Sequence, residues 1–311
     1  HEWINKHPDW YTKNAQGDII YPENWEDVAD LNFDSKAMQK EMKKAMTYWV
    51  KEFDVDGFRC DYAGGVPLEF WESARKALNR IKPVYMLAED DRSMAMMRYA
   101  FNSNYGWSLF HDLNSVARGV KKADALKTYF TNKINTYPPG TYPLHFIDNH
   151  DENSWNGTVE ERMGEAQQAM LALIFTVPGM PLIYSGQEVN LSHRLEFFEK
   201  DEIVWEDFVN EELLTKLIHF KLEHPALWNG DAGGEIVFLQ VSSERVLAYQ
   251  RENREDQIVV ILNLSDTERT VTLTMDNKYE GKDLMSAEII TLGSGANELT
   301  LQPWEFLILS K

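Results

Sequence analysis

Apolar positions along the chain change their period several times, and each change predicts an element. After an irregular, aromatic and acidic opening, Met38, Met42, Met46 and Val50 recur at helical spacing behind Ser35, a residue suited to capping, so 36–53 is predicted helix. The apolar run 55–60 predicts a short strand, Pro67 opens a helix reaching about residue 80, and 84–88 reads as a second strand. The alternation continues with a weak strand at 107–110, a helix at 123–135, a strand at 144–148, a helix at 159–175, a strand at 181–184 and a helix at 210–223. Strands alternating with helices imply right-handed parallel crossovers, as in a β/α barrel or a doubly wound sheet.

From about Asp231 the period shortens. The runs 236–239, 246–249, 258–262, 270–274 and 306–309 are β-type segments between polar turns, the pattern of an antiparallel sandwich. The predicted organisation is therefore a loop-rich segment 1–34, a β/α segment 35–230 and a small antiparallel β-sandwich 231–311.

Composition narrows the function classes. A length of 311 residues with 43% hydrophobic content allows one large domain and one small one. No run of eighteen apolar residues occurs, which excludes a membrane-spanning helix. The net charge of −19 argues against a nucleic-acid partner, because such affinity rests on Lys and Arg neutralising phosphates. A neutral ligand such as a sugar suits it, although excess acid also serves plain solubility. Cys60 is the only cysteine, so neither an internal disulfide nor a multi-cysteine metal site is expected. Ten Trp and thirteen Tyr are a rich aromatic supply; most are expected in the core, and exposed ones suit stacking on sugar rings. The first residues carry no initiator Met, no basic start and no apolar stretch, so the sequence reads as a processed or truncated piece of a soluble protein whose compartment is unknown.

In parallel β/α barrels catalytic groups sit at the C-terminal ends of strands. The first predicted strand ends in Gly57-Phe58-Arg59-Cys60-Asp61, the second in Leu87-Ala88-Glu89-Asp90, the fourth in Ile147-Asp148-Asn149-His150-Asp151. Taken singly, an Arg–Asp pair is an ordinary ion pair and a His–Asp pair an ordinary turn. Three acids at three strand ends, accompanied by Arg and His, form the set that glycoside cleavage needs: one carboxylate to attack, a second to give a proton, about 5 Å apart when configuration is retained. Arg59 and Asp61 share a strand face, which sets a fixed cation beside Asp61. Glu89 arrives behind the apolar Tyr85-Met86-Leu87-Ala88, a setting that favours a proton-holding acid.

The chain resembles the α-amylase family, glycoside hydrolase family thirteen. Residues 57–61 are similar to the family's strand-four nucleophile motif, and Glu89 matches its strand-five acid/base. Residues 146–151 resemble the strand-seven motif, 28–32 the motif closing the inserted domain, and 179–188 the strand-eight motif. The resemblance implies a partial (β/α)8 barrel holding strands four to eight, followed by the family's C-terminal β-domain. It implies a retaining hydrolase of α-1,4 bonds in starch-like α-glucan or maltooligosaccharides, with Asp61, Glu89 and Asp151 catalytic. Arg59, His150, Tyr62 and Trp155 are the expected substrate contacts. No cofactor is required by this chemistry. The family's structural calcium would use Asp30 and a backbone carbonyl near Gly65, its remaining ligand lying outside these residues.

Two features depart from the pattern. Gly64-Gly65 stand where many starch-degrading members carry a Lys-His pair on the leaving-group side of the substrate. The chain also begins after the third barrel strand, so a complementing N-terminal fragment or second subunit is expected, and little cleavage by these residues alone. The alternatives are a transglycosylase of the same family and a truncated, inactive glucan-binding fragment. A doubly wound nucleotide enzyme is disfavoured because no Gly-rich phosphate loop follows a strand.

Overall fold

The computed structural model describes residues 1–23 and 25–311. By packing they fall into two units, His1–Tyr105 and Gly106–Lys311. The change of texture near residue 231 falls inside the second.

In the first unit the helix Lys36–Phe53 starts at Ser35, whose Oγ accepts from the Met38 amide at 3.3 Å, and stops at Asp54 in the left-handed region (φ 53°). Its inward stripe buries Met38 and Val50 and half-buries Met42 and Met46. Strands β1 (Gly57–Cys60), β2 (Tyr85–Ala88) and β3 (Ser103–Tyr105) are parallel, and the helix Leu68–Asn79 makes the crossover from β1 to β2. Among the described residues of this unit, β1 pairs on one side only, with β2.

The strand expected at 107–110 is a correction. Trp107–Ala117 is a helix that buries Leu109, Phe110, Leu113 and Val116 at i, i+3 and i+4 spacing, a period that four residues are too few to reveal. The strand lies earlier, at Ser103–Tyr105, where polar residues in a wholly buried segment carry no apolar signal.

In the second unit β4 (Tyr142–His145) and β5 (Met180–Pro181) are parallel, with Leu144 opposite Met180 and His145 opposite Pro181. Both are shorter than expected, so residues 146–149 leave the strand as a loop, and a helical turn begins at His150. The expected helix 159–175 is two helices, Val159–Met163 and Gln167–Thr176, separated by the 3-10 turn Gly164–Ala166. A complete capping box, Thr158 with Glu161, starts the first. The second is apolar on every side because it is buried on every side from Ala169 to Thr176. Each Leu or Ile there contributes ~1.5–3 kcal/mol by burial.

The tail is antiparallel. Strands β6 (Glu235–Phe238), β7 (Gln240–Val241), β8 (Val246–Glu252), β9 (Gln257–Asn263), β10 (Arg269–Met275), β11 (Tyr279–Asp283), β12 (Ile289–Leu292), β13 (Gly295–Leu301) and β14 (Phe306–Ser310) follow in sequence. They form sheets ordered β13-β10-β7 and β12-β11-β14-β9-β8-β6. One core runs from the helices into this sandwich, joining Leu171 and Phe175 to Tyr249, Val260 and Ile308. The Tyr249 hydroxyl bonds Thr176 Oγ1 at 2.6 Å, and Arg251 Nη1 donates to the Thr176 carbonyl. That shared interior is why packing sets no boundary near residue 230. No helix among the described residues is long and apolar enough to cross a membrane.

Candidate active site

In the first unit β1 and β2 pair in register up to Cys60 opposite Ala88, and the Glu89 amide donates to the Cys60 carbonyl at 3.0 Å. Asp61 and Glu89 are the next residues on each strand. Neighbouring strands lie ~4.8 Å apart, so two carboxylates leave the sheet side by side. Arg59 joins them. Its Nη1 binds Asp61 Oδ1, its Nη2 lies 2.8 Å from Glu89 Oε1, and its Nε donates to Tyr105 Oη at 3.2 Å. Burial works against the guanidinium charge, but the bonds and charges of Tyr105, Asp61 and Glu89 outweigh it and raise the Arg59 pKa above its usual value. The Tyr62 amide donates to Glu89 Oε2 at 2.9 Å.

The two acids sit in different surroundings: the Asp61 side chain is 76% exposed, that of Glu89 16%. A cavity of about 350 Å³ opens beside Asp61, lined by Arg59, Tyr62 and apolar side chains such as Leu31, Met46 and Phe58. Cys60, between Arg59 and Asp61, is buried, which pushes its thiol up to about 12.

The structure accounts for Gly64-Gly65. A Cβ on Gly65 would lie 2.1 Å from Tyr62 Cε1, and one on Gly64 would lie 2.5 Å from Asp90 Oδ1. The space is taken by the Tyr62 ring and by the buried Asp90 carboxylate, which binds Arg92 Nε at 2.7 Å. Tyr62 packs edge-on against Trp25 at 4.9 Å and donates from its hydroxyl to Glu23 Oε1 at 2.7 Å. Gly65→Ala is expected to displace that ring and break the Glu23 bond, lowering kcat/KM for a maltooligosaccharide about tenfold at a stability cost of ~1–3 kcal/mol. Steady-state kinetics beside urea unfolding check it, and wild-type values for both would refute the steric account.

In the second unit Asp148 and Asn149 occupy the loop beyond β4, and His150 and Asp151 begin the helical turn that continues through Glu152–Asn156. Arg162, delivered by the capped helix, holds this loop from beneath. Its Nη2 binds Asp148 Oδ1 at 2.7 Å, its Nη1 the Ile147 carbonyl at 3.0 Å and its Nε the Gly157 carbonyl at 2.9 Å. Burial pushes Asp148 up to about 7, with the Arg162 charge pulling the other way. Asn149 Oδ1 accepts from the amides of Asp151 and Glu152 and so fixes the turn that presents Asp151. His150 Nε2 lies 3.4 Å from Asp151 Oδ2, and Trp155 is exposed.

Arg162, Asn149 and Tyr105 escaped the sequence reading. The signals available were the box Thr158-Val159-Glu160-Glu161 directly before Arg162 and the polar run Asn102-Ser103-Asn104-Tyr105. No three His, Cys, Asp or Glu side chains converge among the described residues.

Residues 2–233 match the model of the alpha amylase catalytic domain. The chain belongs to the alpha-amylase family. Residues 236–308 match the maltogenic amylase C-terminal domain. Among alpha-amylase family relatives, alpha-amylase MalA of Haloarcula japonica is 27% identical over 90% of this chain and 41% of its own length. The maltogenic alpha-amylase of Bacillus acidopullulyticus is 29% identical over 84% of this chain and 46% of its own. The chain thus spans less than half the length of these two relatives. A crystal structure of the maltogenic alpha-amylase AmyB from Thermotoga neapolitana superposes with a TM-score of 0.87 at 28% identity, covering 99% of this chain and 73% of that one. The fold is accordingly that of an amylase-type β/α barrel segment followed by the family's β-domain.

Proposed function

We propose that the protein carrying these residues is a retaining glycosidase that cleaves α-1,4 bonds of maltooligosaccharides or starch-like glucan. The observation that supports this most is the Arg59 guanidinium joined to both Asp61 and Glu89 at the ends of adjacent, in-register strands. That spacing is of the order of the ~5 Å a retaining pair needs. Asp61, the exposed acid, attacks the anomeric carbon as the glycosidic C–O bond breaks. Glu89, the more enclosed acid, gives its proton to the departing oxygen. Glu89 then takes a proton from water, whose oxygen displaces Asp61 from the sugar. In this reading Asp151 and His150 hold sugar hydroxyls, the role the family resemblance gives them. Arg59 keeps both acids in place through these steps.

The test is the configuration and length of products from maltoheptaose, followed by proton NMR. Shorter oligosaccharides released first as the α-anomer are expected. First-formed β-anomer would refute retention, and products longer than the substrate would show that sugar rather than water resolves the intermediate.

A further inference from the structure

The segment Leu195-Glu196-Phe197-Phe198-Glu199-Lys200-Asp201-Glu202 places two adjacent phenylalanines in a run of charges. Neither is hidden by folding. Phe198 is 65% exposed, Phe197 40% and Trp155, from the helical turn Glu152–Asn156, 55%. The three rings touch: Trp155 and Phe197 have centroids 5.0 Å apart, as do Phe197 and Phe198. Phe197 also lies face-on to His150 at 6.4 Å. Their loop is tied down. The Leu195 amide donates to Asn153 Oδ1 at 2.8 Å, Arg194 forks onto Glu161, and Asp201 accepts from the amides of Glu196 and Glu202. A contiguous aromatic patch held in water by a fixed loop marks a surface for a ligand.

The patch adjoins His150 and Asp151, which offer hydrogen-bonding edges to hydroxyls, while the rings offer only apolar faces. A pyranose has that same division, with C–H faces and a hydroxyl rim. A partly exposed Trp and two Phe present on the order of 300 Å², well under the ~800 Å² per partner of a stable protein interface, yet enough for one sugar face.

We propose that Phe197, Phe198 and Trp155 form a stacking platform for an α-glucan unit next to the one held by His150 and Asp151, making this surface a determinant of preference for longer chains. The proposal rests on the glucan-cleaving reading above.

The test is Phe198→Ala, with Phe198→Tyr as the conservative control. Cleavage of maltoheptaose is compared with that of a short aryl maltoside, and maltoheptaose binding is measured by titration calorimetry. Phe198→Ala should raise KM for maltoheptaose about tenfold more than for the aryl maltoside, and weaken binding by a similar factor, with Phe198→Tyr largely restoring both. Equal losses on both substrates, or unaltered maltoheptaose binding, would overturn the platform. Binding that depends on Phe198 in a protein that cleaves nothing would support the platform and refute the cleavage reading alone. Sedimentation showing that Phe198→Ala dissolves a dimer would overturn the proposal in favour of self-association.

Discussion

Asp61→Asn lowers turnover of maltooligosaccharides about ten-thousand-fold, roughly 5 kcal/mol of barrier at about 1.4 kcal/mol per decade. The substitution is nearly isosteric and replaces one of the carboxylate oxygens that the proposed mechanism uses as nucleophile. The Asp61 side chain is 76% exposed, so no buried charge is stranded and the fold should persist. Arg59 keeps Glu89 as a partner at 2.8 Å, and an exposed ion pair is worth at most about 1 kcal/mol. Steady-state kinetics beside thermal unfolding test both halves of this expectation. A mechanism-based fluoroglycoside, with the labelled peptide located by mass, tests the assignment itself. A label on any other residue would sink it.

Glu89→Gln produces a different signature. Natural glucans leave as poor leaving groups and need a proton, so their cleavage should fall by roughly a hundred- to ten-thousand-fold. Glycosyl fluorides or dinitrophenyl glycosides need none, and the first step on these should be nearly spared. The amide also replaces one acceptor oxygen, so either the Arg59 guanidinium at 2.8 Å or the Tyr62 amide at 2.9 Å loses its partner. Binding therefore suffers somewhat on every substrate. The discriminating quantity is the ratio of losses between the two leaving-group classes, and equal losses would count against the role.

Much of this was legible because the decisive residues lie at the ends of apolar runs. Tyr85-Met86-Leu87-Ala88 can only be an interior strand, so Glu89 must emerge where it ends, and the same holds for Asp61 after residues 57–60. The long helix was readable to the residue because Ser35 caps it and methionines mark its inner face. What was not legible was polar and buried. Strand β3 is Ser-Asn-Tyr, and its Tyr105 earns no apolar score although its hydroxyl accepts from Arg59. Strand β11 interleaves buried positions with Glu280 and Lys282, and β13 turns Asn297 inward and Glu298 outward with only Leu301 buried, so neither shows an apolar period of two. Arg162 looks like one more surface residue in an acidic helix until Asp148 is found beneath it. Long-range polar contacts of this kind have no local period to read.

The one thiol of the chain lies in β1, between the two residues whose contact defines the candidate site. It is buried and its pKa stands near 12, so a maleimide or aromatic disulfide finds no thiolate to attack while the strand is closed. Labelling kinetics at Cys60 therefore act as a gauge of how often this single strand opens, without any engineered probe. A ligand that fastens Asp61 and Glu89 should slow the modification in proportion to its occupancy. The same silence means that oxidants reaching the folded protein leave the thiol of β1 untouched until that strand breathes.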